Sequence, residues 1–485
     1  MKGFLESLRA AKERGIVPVI PDFKMVSPKD GPLFAGLDPI HEAKRMEQNG
    51  APALSVVTEE TEFGGSPELL RQIAGAVGIP VLRKDFIRTA DDLRETKACG
   101  ASAVLFILSC MEQEKVPRLY EEALKLGLEP FVEAHTEEEL RFAGSLSAGL
   151  TGINNRDILA LERDGGTVDT TRRLISAKAP GSFLVSESGI MSVEDVRAAI
   201  SAGADAVLVG TAVWRSGDPM LFYRSLSRAM HTPKLKICGL CREKDVLYCR
   251  KLGVDMAGFV AEYPEPVPWN LPAERTEKLI SLVKAPMKSC IVTGGGREKV
   301  VSLAERLRPD YIQLHHRETL EDTRAIAAAL KKRNIGVIKT LPQDSAERRR
   351  QFGTEDVSTA MRLLEDAGMC AALIDPRTPD NAAEGGLSAD LSFYSLAACG
   401  STLPVVLAGG VKPENIRTIA EKTGADMLDV MTGAESSASS CSVSETNRSF
   451  FARLLRRAFL RAAAPFFLQR VKRPEGEYAP SGSSC

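Results

Sequence analysis

The sequence predicts an α/β protein built of two tandem (β/α)8 TIM barrels, and three observations carry that expectation. Short Val-, Ile- and Leu-rich runs alternate with longer helical patterns, eight times in about the first 220 residues and eight times after residue 234. The runs are almost continuously apolar, as strands covered on both faces must be. One stretch also repeats. Ser186-Glu187-Ser188-Gly189-Ile190, a helix, and Gly203-Ala204-Asp205-Ala206 align with Ala408-Gly409-Gly410-Val411, a helix, and Gly424-Ala425-Asp426-Met427, at a constant offset of 221 and without a gap. Two copies of one fold account for the repeat most simply. An open doubly wound sheet would read similarly by periodicity; eight strand–helix units per copy favour closure.

In the first copy the expected strands are Val17–Ile20, Ala53–Val57, Val81–Leu82, Ala103–Ile107, Pro130–Val132, Leu150–Ile153, Phe183–Val185 and Ala206–Val209, closed by a helix from Pro219 to about Met230. In the second they are Leu235–Cys238, Met256–Val260, Lys288–Val292, Tyr311–Leu314, Val337–Lys339, Ala372–Ile374, Pro404–Leu407 and Met427–Val430. The join falls near His231-Thr232-Pro233. Ser436–Ser442 reads as a polar loop, and Ser449–Arg461 as a basic amphipathic last helix. The expected domains are 1–230, 234–463 and a partly disordered tail, 464–485.

Composition narrows the function classes. Lys+Arg (63) and Asp+Glu (64) nearly cancel over 485 residues, which leaves no basic excess to meet nucleic-acid phosphates. Ten cysteines at uneven spacing do not form a disulfide framework, and a reducing cytoplasm is the expected compartment. No run approaches the ~18 apolar residues of a membrane span. The expected partners are small molecules, with no nucleic acid, and a monomer is plausible.

Barrels place their chemistry where strands end, so polar residues there are the candidates. The first copy offers Asp22 and Lys24 after strand 1, Lys84 and Asp85 after strand 3, Glu133 after strand 5, Asn154 and Asn155 after strand 6, and Glu187 and Ser188 after strand 7. Lysines and carboxylates converging on one mouth suit proton transfer. A salt-bridge ring at the rim is the plainer alternative for any one of them. Gly189, Gly210 and Thr211 follow strands 7 and 8, where backbone N–H groups can approach a phosphate. Gly409, Gly410, Thr432 and Gly433 hold the equivalent places in the second copy. There, Cys238 ends strand 1 and Asp375 ends strand 6. A thiolate base and a carboxylic acid facing across a mouth could shuttle protons in an isomerisation. A redox reading of Cys238 with Cys241 lacks the helix start it needs, and no second CxxC or His pair builds a zinc site. No metal or organic cofactor is expected.

At these residues the first half resembles indole-3-glycerol-phosphate synthase across about residues 10–220. The strings are Lys24-x-x-Ser27-Pro28, Pro80-Val81-Leu82-Arg83-Lys84-Asp85-Phe86, Val132-Glu133, Gly152-Ile153-Asn154-Asn155-Arg156-Asp157, Glu187-Ser188-Gly189-Ile190 and the glycine-bounded run from Gly203 to Gly210. The second half resembles phosphoribosylanthranilate isomerase over about 234–460. Its strings are Lys236-Ile237-Cys238-Gly239-Leu240, Gln313-Leu314-His315, Asp375-x-x-Thr378-Pro379, Gly409-Gly410-Val411-x-Pro413-Glu414-Asn415, and Asp429-Val430 with Gly433.

The resemblance implies a bifunctional enzyme of tryptophan biosynthesis acting on phosphorylated sugar–anthranilate substrates. Asp375 would be the general acid of an Amadori rearrangement and Cys238 its base. Lys84 would protonate a carbonyl oxygen during ring closure, with Glu133 as acid–base partner and Lys24 on the substrate carboxylate. Asp22, Asn154, Glu187 and Ser188 would order the pocket. Ser27, Gly189, Gly210 and Thr211 would take the phosphate of one barrel, and Gly409, Gly410, Thr432 and Gly433 that of the other. A rival reading keeps only the synthase half active, with the second barrel as a binding or scaffold module.

The sequence also departs from both families. Asp22 stands where the synthases usually carry Glu, which shortens its reach by ~1.5 Å, and misplacement by ~1 Å can cost ~10²-fold in rate. Lys29 replaces the usual Ser after Ser-Pro, and about 15 residues precede strand 1. The loop Tyr263–Leu271 lacks the Arg that meets the substrate carboxylate in the isomerases, Arg377 is a candidate substitute, and Trp269 could stack on the ring or simply pack. Gly385-Gly386-Leu387-Ser388 replaces a Gly-Gly-x-Gly.

Overall fold

The computed structural model describes residues 3–156, 166–384, 386–399 and 401–431. The tail, the Ser436–Ser442 tract, the expected helix Ser449–Arg461, Asp157, Gly385, Thr432 and Gly433 lie outside the described residues.

Two closed parallel barrels follow one another. The first runs β1 (Val19–Phe23), β2 (Leu54–Val57), β3 (Val81–Lys84), β4 (Ala103–Ile107), β5 (Glu129–Ala134), β6 (Leu150–Asn154), β7 (Phe183–Glu187) and β8 (Ala206–Val209). Each strand pairs with the next, and β1 closes on β8 through Val19↔Val207. The second runs β9 (Lys234–Ile237), β10 (Met256–Val260), β11 (Lys288–Thr293), β12 (Tyr311–Leu314), β13 (Gly336–Thr340), β14 (Ala371–Ile374), β15 (Val405–Ala408) and β16 (Met427–Val430), and β9 closes on β16 through Lys236↔Asp429.

All sixteen expected strands are present, but several extend further toward their C-terminal ends. Asp22 lies inside β1, and Lys84, Asn154 and Glu187 are the last residues of β3, β6 and β7 rather than the first of the following loops. The ladder continues one layer past the apolar run, because a polar side chain at the barrel mouth finds polar partners there instead of water. Asp22, for example, accepts the Ser55 hydroxyl from the neighbouring strand at 2.6 Å.

Helix Phe4–Glu13 covers the opposite, N-terminal end of the first barrel. Phe4 and Leu8 are fully buried among Ile20, Leu82, Leu105 and Phe131, and the Glu129 carboxylate at the start of β5 accepts the Phe4 and Leu5 N–H groups. That end is therefore plugged by apolar side chains, which leaves the C-terminal mouth as the open one. The second barrel has a similar helix-on-strand shell, with Phe259, Ile291, Ile312, Ala372 and Leu407 fully buried.

The sequence repeat reappears as a repeated hydrogen-bond pattern. Asp205 accepts from the backbone of Leu184 at 2.9 Å, and Asp426 accepts from Val405 at 3.1 Å, again 221 residues apart. The two aspartates differ in their cations. Asp205 binds Lys12 and Lys178, whereas Asp426 binds Arg224 (3.0 Å) and Arg228 from helix Pro219–Ser227 and the residue after it. That helix packs on β1 in the first barrel and on helices Leu391–Cys399 and Ile416–Thr423 in the second, so it serves both. Arg197–Glu421 (2.9 Å) adds a second ion pair across the junction.

Candidate active sites

Lys84 centres the mouth of the first barrel. Its ammonium lies 3.1 Å from Glu133 and 3.0 Å from Glu187, both fully buried. Burial opposes its charge, but Glu133, Glu187 and then Asp22 outweigh that, so the amine stays protonated. The two carboxylates are driven apart. Burial pushes Glu133 up, but Lys84, His135 and the Asn154 amide (3.1 Å) bring it below the ordinary range. Glu187 is pushed well above that range by burial and by the charge of Glu133, with Lys84 only partly opposing. One group is thus a standing base and the other holds a proton near neutrality, an arrangement for acid–base work.

Asp22, Lys24, Lys84, Asn154 and Ser188 line one cleft of about 530 Å³ together with Phe63, Phe86, Ile107 and Arg156. The Lys24 ammonium sits 5.7 Å from the Phe63 ring centre, so charge and aromatic face lie side by side. Ser188 adopts a left-handed backbone (φ +64°), strain that a side chain accepts only when its surroundings enforce it. Asn155 supplies part of that enforcement: its amide donates to the Ser188 carbonyl at 2.9 Å and to Ser186 at 3.0 Å. Asn155 is therefore a support rather than a lining residue.

The expected phosphate residues of this barrel divide. Gly189 (φ +66°) needs to be glycine, since a Cβ there would meet the Gly166 carbonyl at 2.5 Å; at Gly210 a Cβ would press on Asp22 at 3.2 Å, a tight contact that a small shift could relieve. Thr211 starts a four-residue helix after β8. Ser27 is buried and accepts from the Asp30 backbone at 3.3 Å, near the strand-1 loop rather than on the cleft wall.

In the second barrel Cys238 and Asp375 line one cleft of about 400 Å³, with Tyr263, Trp269, His315, Arg377 and Asp429. Burial raises the Cys238 thiol, and Lys236 beneath it only partly offsets this. Lys236 is itself fully buried and bonded to Asp429 at 2.5 Å. Burial also pushes Asp375 up, but Arg377, then His315, bring its carboxyl below the usual range. Arg377 holds it by Nε (3.1 Å), Nη2 (2.8 Å) and its own backbone N–H (2.9 Å). At rest, then, the cysteine is a thiol and the aspartate a carboxylate, the reverse of their expected working forms. Burial pushes His315 down to about 4, so it is neutral at physiological pH. The Cys241 thiol donates to the Gly239 carbonyl at 3.3 Å. Gly409 and Gly410 line an adjoining cleft of about 340 Å³ that shares Arg377, Asp429 and Met431 with the first. Among the described residues no cluster of three metal-binding side chains occurs, and no helix is long and apolar enough to cross a membrane.

Residues 1–226 match the family model for indole-3-glycerol phosphate synthase. A synthase of that name from Pyrococcus furiosus is 40% identical over 218 residues, which cover 45% of this chain and 93% of the relative. The chain belongs to the indole-3-glycerol phosphate synthase family. The Listeria monocytogenes synthase is likewise 40% identical, covering 46% of this chain and 86% of that one. Residues 235–439 match the family model for N-(5'phosphoribosyl)anthranilate (PRA) isomerase, so synthase and isomerase barrels occur in tandem in a bifunctional tryptophan-biosynthesis protein. A solved phosphoribosyl anthranilate isomerase from Thermus thermophilus shares 23% identity, covering 46% of this chain and 99% of that one with a TM-score of 0.37.

Several residues of the synthase and isomerase barrels escape a reading by residue type. In the synthase barrel a Cβ on Gly152 would collide with the Glu187 carboxylate and the Phe131 ring. In the isomerase barrel a Cβ on Gly258 would sit 2.9 Å from the Cys238 sulfur. Both glycines keep space open for a polar side chain at a barrel mouth. Lys236 and Asp429 stand in the quoted strings, but their pairing spans 193 residues and only the closed barrel brings it about.

Proposed function

We propose that the chain catalyses two consecutive steps of tryptophan biosynthesis, one per barrel, with the division 1–230, 234–463 and a tail from 464. The second barrel isomerises N-(5-phosphoribosyl)anthranilate. Asp375, once protonated, gives its proton to the ribose ring oxygen as the ring C–O bond breaks. Cys238, as thiolate, removes the C2 proton, and the resulting enolamine relaxes to 1-(2-carboxyphenylamino)-1-deoxyribulose 5-phosphate. Lys236, buried under the sulfur, favours the thiolate.

The first barrel closes the indole ring on that product. Lys84 protonates the carbonyl oxygen while the ring carbon attacks the carbonyl carbon. Carbon dioxide leaves, and the hydroxyl derived from that oxygen departs as water, with Glu133 as the acid–base partner. Lys24 meets the substrate carboxylate, and Phe63 beside it offers the aromatic ring a face. Asp22, Asn154, Glu187 and Ser188 hold this arrangement. Ser27, Gly189, Gly210 and Thr211 serve the phosphate here, and Gly409, Gly410, Thr432 and Gly433 serve it in the second barrel. Neither reaction calls for a metal or organic cofactor, and the protein works in the cytoplasm.

The observation that carries this reading is the Lys84 ammonium held between two oppositely tuned carboxylates at 3.1 and 3.0 Å. Complementation of tryptophan auxotrophs, each lacking one of the two steps, is the test. Growth of both strains is expected; failure to rescue the isomerase-deficient strain would leave the second barrel as a scaffold.

A further inference from the structure

The isomerase cleft poses a problem of charge. Among the described residues lining it, Asp375 and Asp429 are acidic, His315 is neutral, and Arg377 alone carries a permanent positive charge. Asp429 already faces Lys236 below the floor. The guanidinium is committed to Asp375 through two side-chain hydrogen bonds, and its remaining terminal nitrogen reaches only the Met431 sulfur, 3.0 Å away. An aromatic carboxylate entering between Tyr263 and Trp269 therefore meets two acids and one engaged cation.

We propose that Arg377 is the carboxylate-binding residue of this cleft and that it changes partners during the cycle, leaving Asp375 for the substrate's carboxylate. The inference rests on the isomerase reading above. When the guanidinium turns to the ligand, Asp375 keeps only the backbone N–H of Arg377 from that set, and a buried carboxylate that has lost its cation takes up a proton. The charges balance: the ligand's carboxylate neutralises the arginine, and one solvent proton neutralises the aspartate. The other groups facing Asp375 do not replace the lost charge. His315 just after β12 is neutral, Asp429 on β16 is acidic, Tyr263 beyond β10 is an un-ionised phenol, and Cys238 just after β9 is a thiol. Lys236 and Lys339 are held by Asp429 and Glu318. Binding would thus load the acid that the rearrangement needs, and an empty site would hold none.

Anthranilate carries the carboxylate without the sugar phosphate, and inorganic phosphate the reverse, so the two separate the anion sources. Both are to be measured as competitive inhibitors of isomerisation by the full chain and by Arg377→Gln, with ring closure by the first barrel as the check on folding. Arg377→Gln is expected to weaken anthranilate inhibition roughly 10- to 100-fold, the usual worth of a charge-assisted bidentate contact, and to weaken phosphate inhibition by far less, since Arg377 only borders the adjoining cleft. Arg377→Lys should recover part of the loss. Titration calorimetry in two buffers of different ionisation enthalpy should show uptake of about one proton per anthranilate bound near pH 7, absent in both Arg377→Gln and Asp375→Asn. Phosphate inhibition weakened in place of anthranilate, or anthranilate binding and proton uptake unchanged in Arg377→Gln, would overturn the proposal. A wild-type chain with no isomerase activity would instead refute the functional reading beneath it.

Discussion

Lys84 meets Glu133 and Glu187 at nearly equal distances, yet the two carboxylates do not share its charge equally. Glu187 is raised by burial and by Glu133, so the folded state holds a proton that the unfolded chain gives up at lower pH. A raised folded-state pKa adds stability below the unfolded value, and that stability is lost as pH climbs through the folded value. Glu187→Gln removes the penalty. Its Tm should exceed that of wild type at pH 8.5 and match it at pH 5, while ring closure falls by ~10²-fold or more. Thermal scans at the two pH values check this; a Gln variant less stable at pH 8.5 would contradict the assignment. These polar residues were legible in the sequence because each stands at the end of an apolar run, where a barrel exposes its mouth. Arg377 was legible as a candidate for the substrate carboxylate, because the loop Tyr263–Leu271 lacks an arginine. That it grips the acid itself depends on a turn of the β14 loop, which no pattern of residue types encodes.

Strands position the chemistry by what they omit as much as by what they carry. Gly152 on β6 leaves room for the Glu187 carboxylate, and Gly258 on β10 for the Cys238 sulfur. Gly152→Ala should lower ring closure by ~10²-fold, because a displacement of ~1 Å is enough, with isomerisation unchanged. Gly258→Ala should do the converse. Activity assays of both steps on each variant decide it, and equal loss of both steps would point to misfolding. Gly152 opens one of the strings that carry the synthase resemblance and Gly258 stands in none, yet neither has a role that residue type reveals, since a requirement for empty space leaves no chemical signature. The strands themselves were readable because burial on both faces forces continuous apolarity. Their observed ends differ from the expected ones by up to three residues at β1, where Pro21-Asp22 looks like a terminus but Asp22 has a hydroxyl partner on the neighbouring strand.

Across the whole molecule, the repeat offset of 221 survives as two aspartates anchoring two equivalent strands. Asp426 has been given a second task, because its cations come from the helix that ends the first barrel. Burial raises this carboxyl, but Arg224 and Arg228 outweigh it and hold it below the usual range, so its contribution is lost as pH falls through the folded value. Asp426→Ala should cost about 2–3 kcal/mol by leaving two partly buried guanidinium groups and one N–H without their acceptor. Both activities should persist below the melting transition. Urea unfolding at pH 7 measures the loss, and an unchanged midpoint would show the bridge to be incidental. The repeat itself was visible in the sequence; the bridging was not, because helix Pro219–Ser227 reads as an ordinary final helix until both barrels are seen around it.

The central claim is that each mouth does its own chemistry, and Cys238→Ala tests it most directly when both reactions are assayed on one purified, folded preparation. Isomerisation should fall to background while ring closure proceeds at the wild-type rate. Loss of both reactions together, or isomerisation at an undiminished rate, would contradict the account.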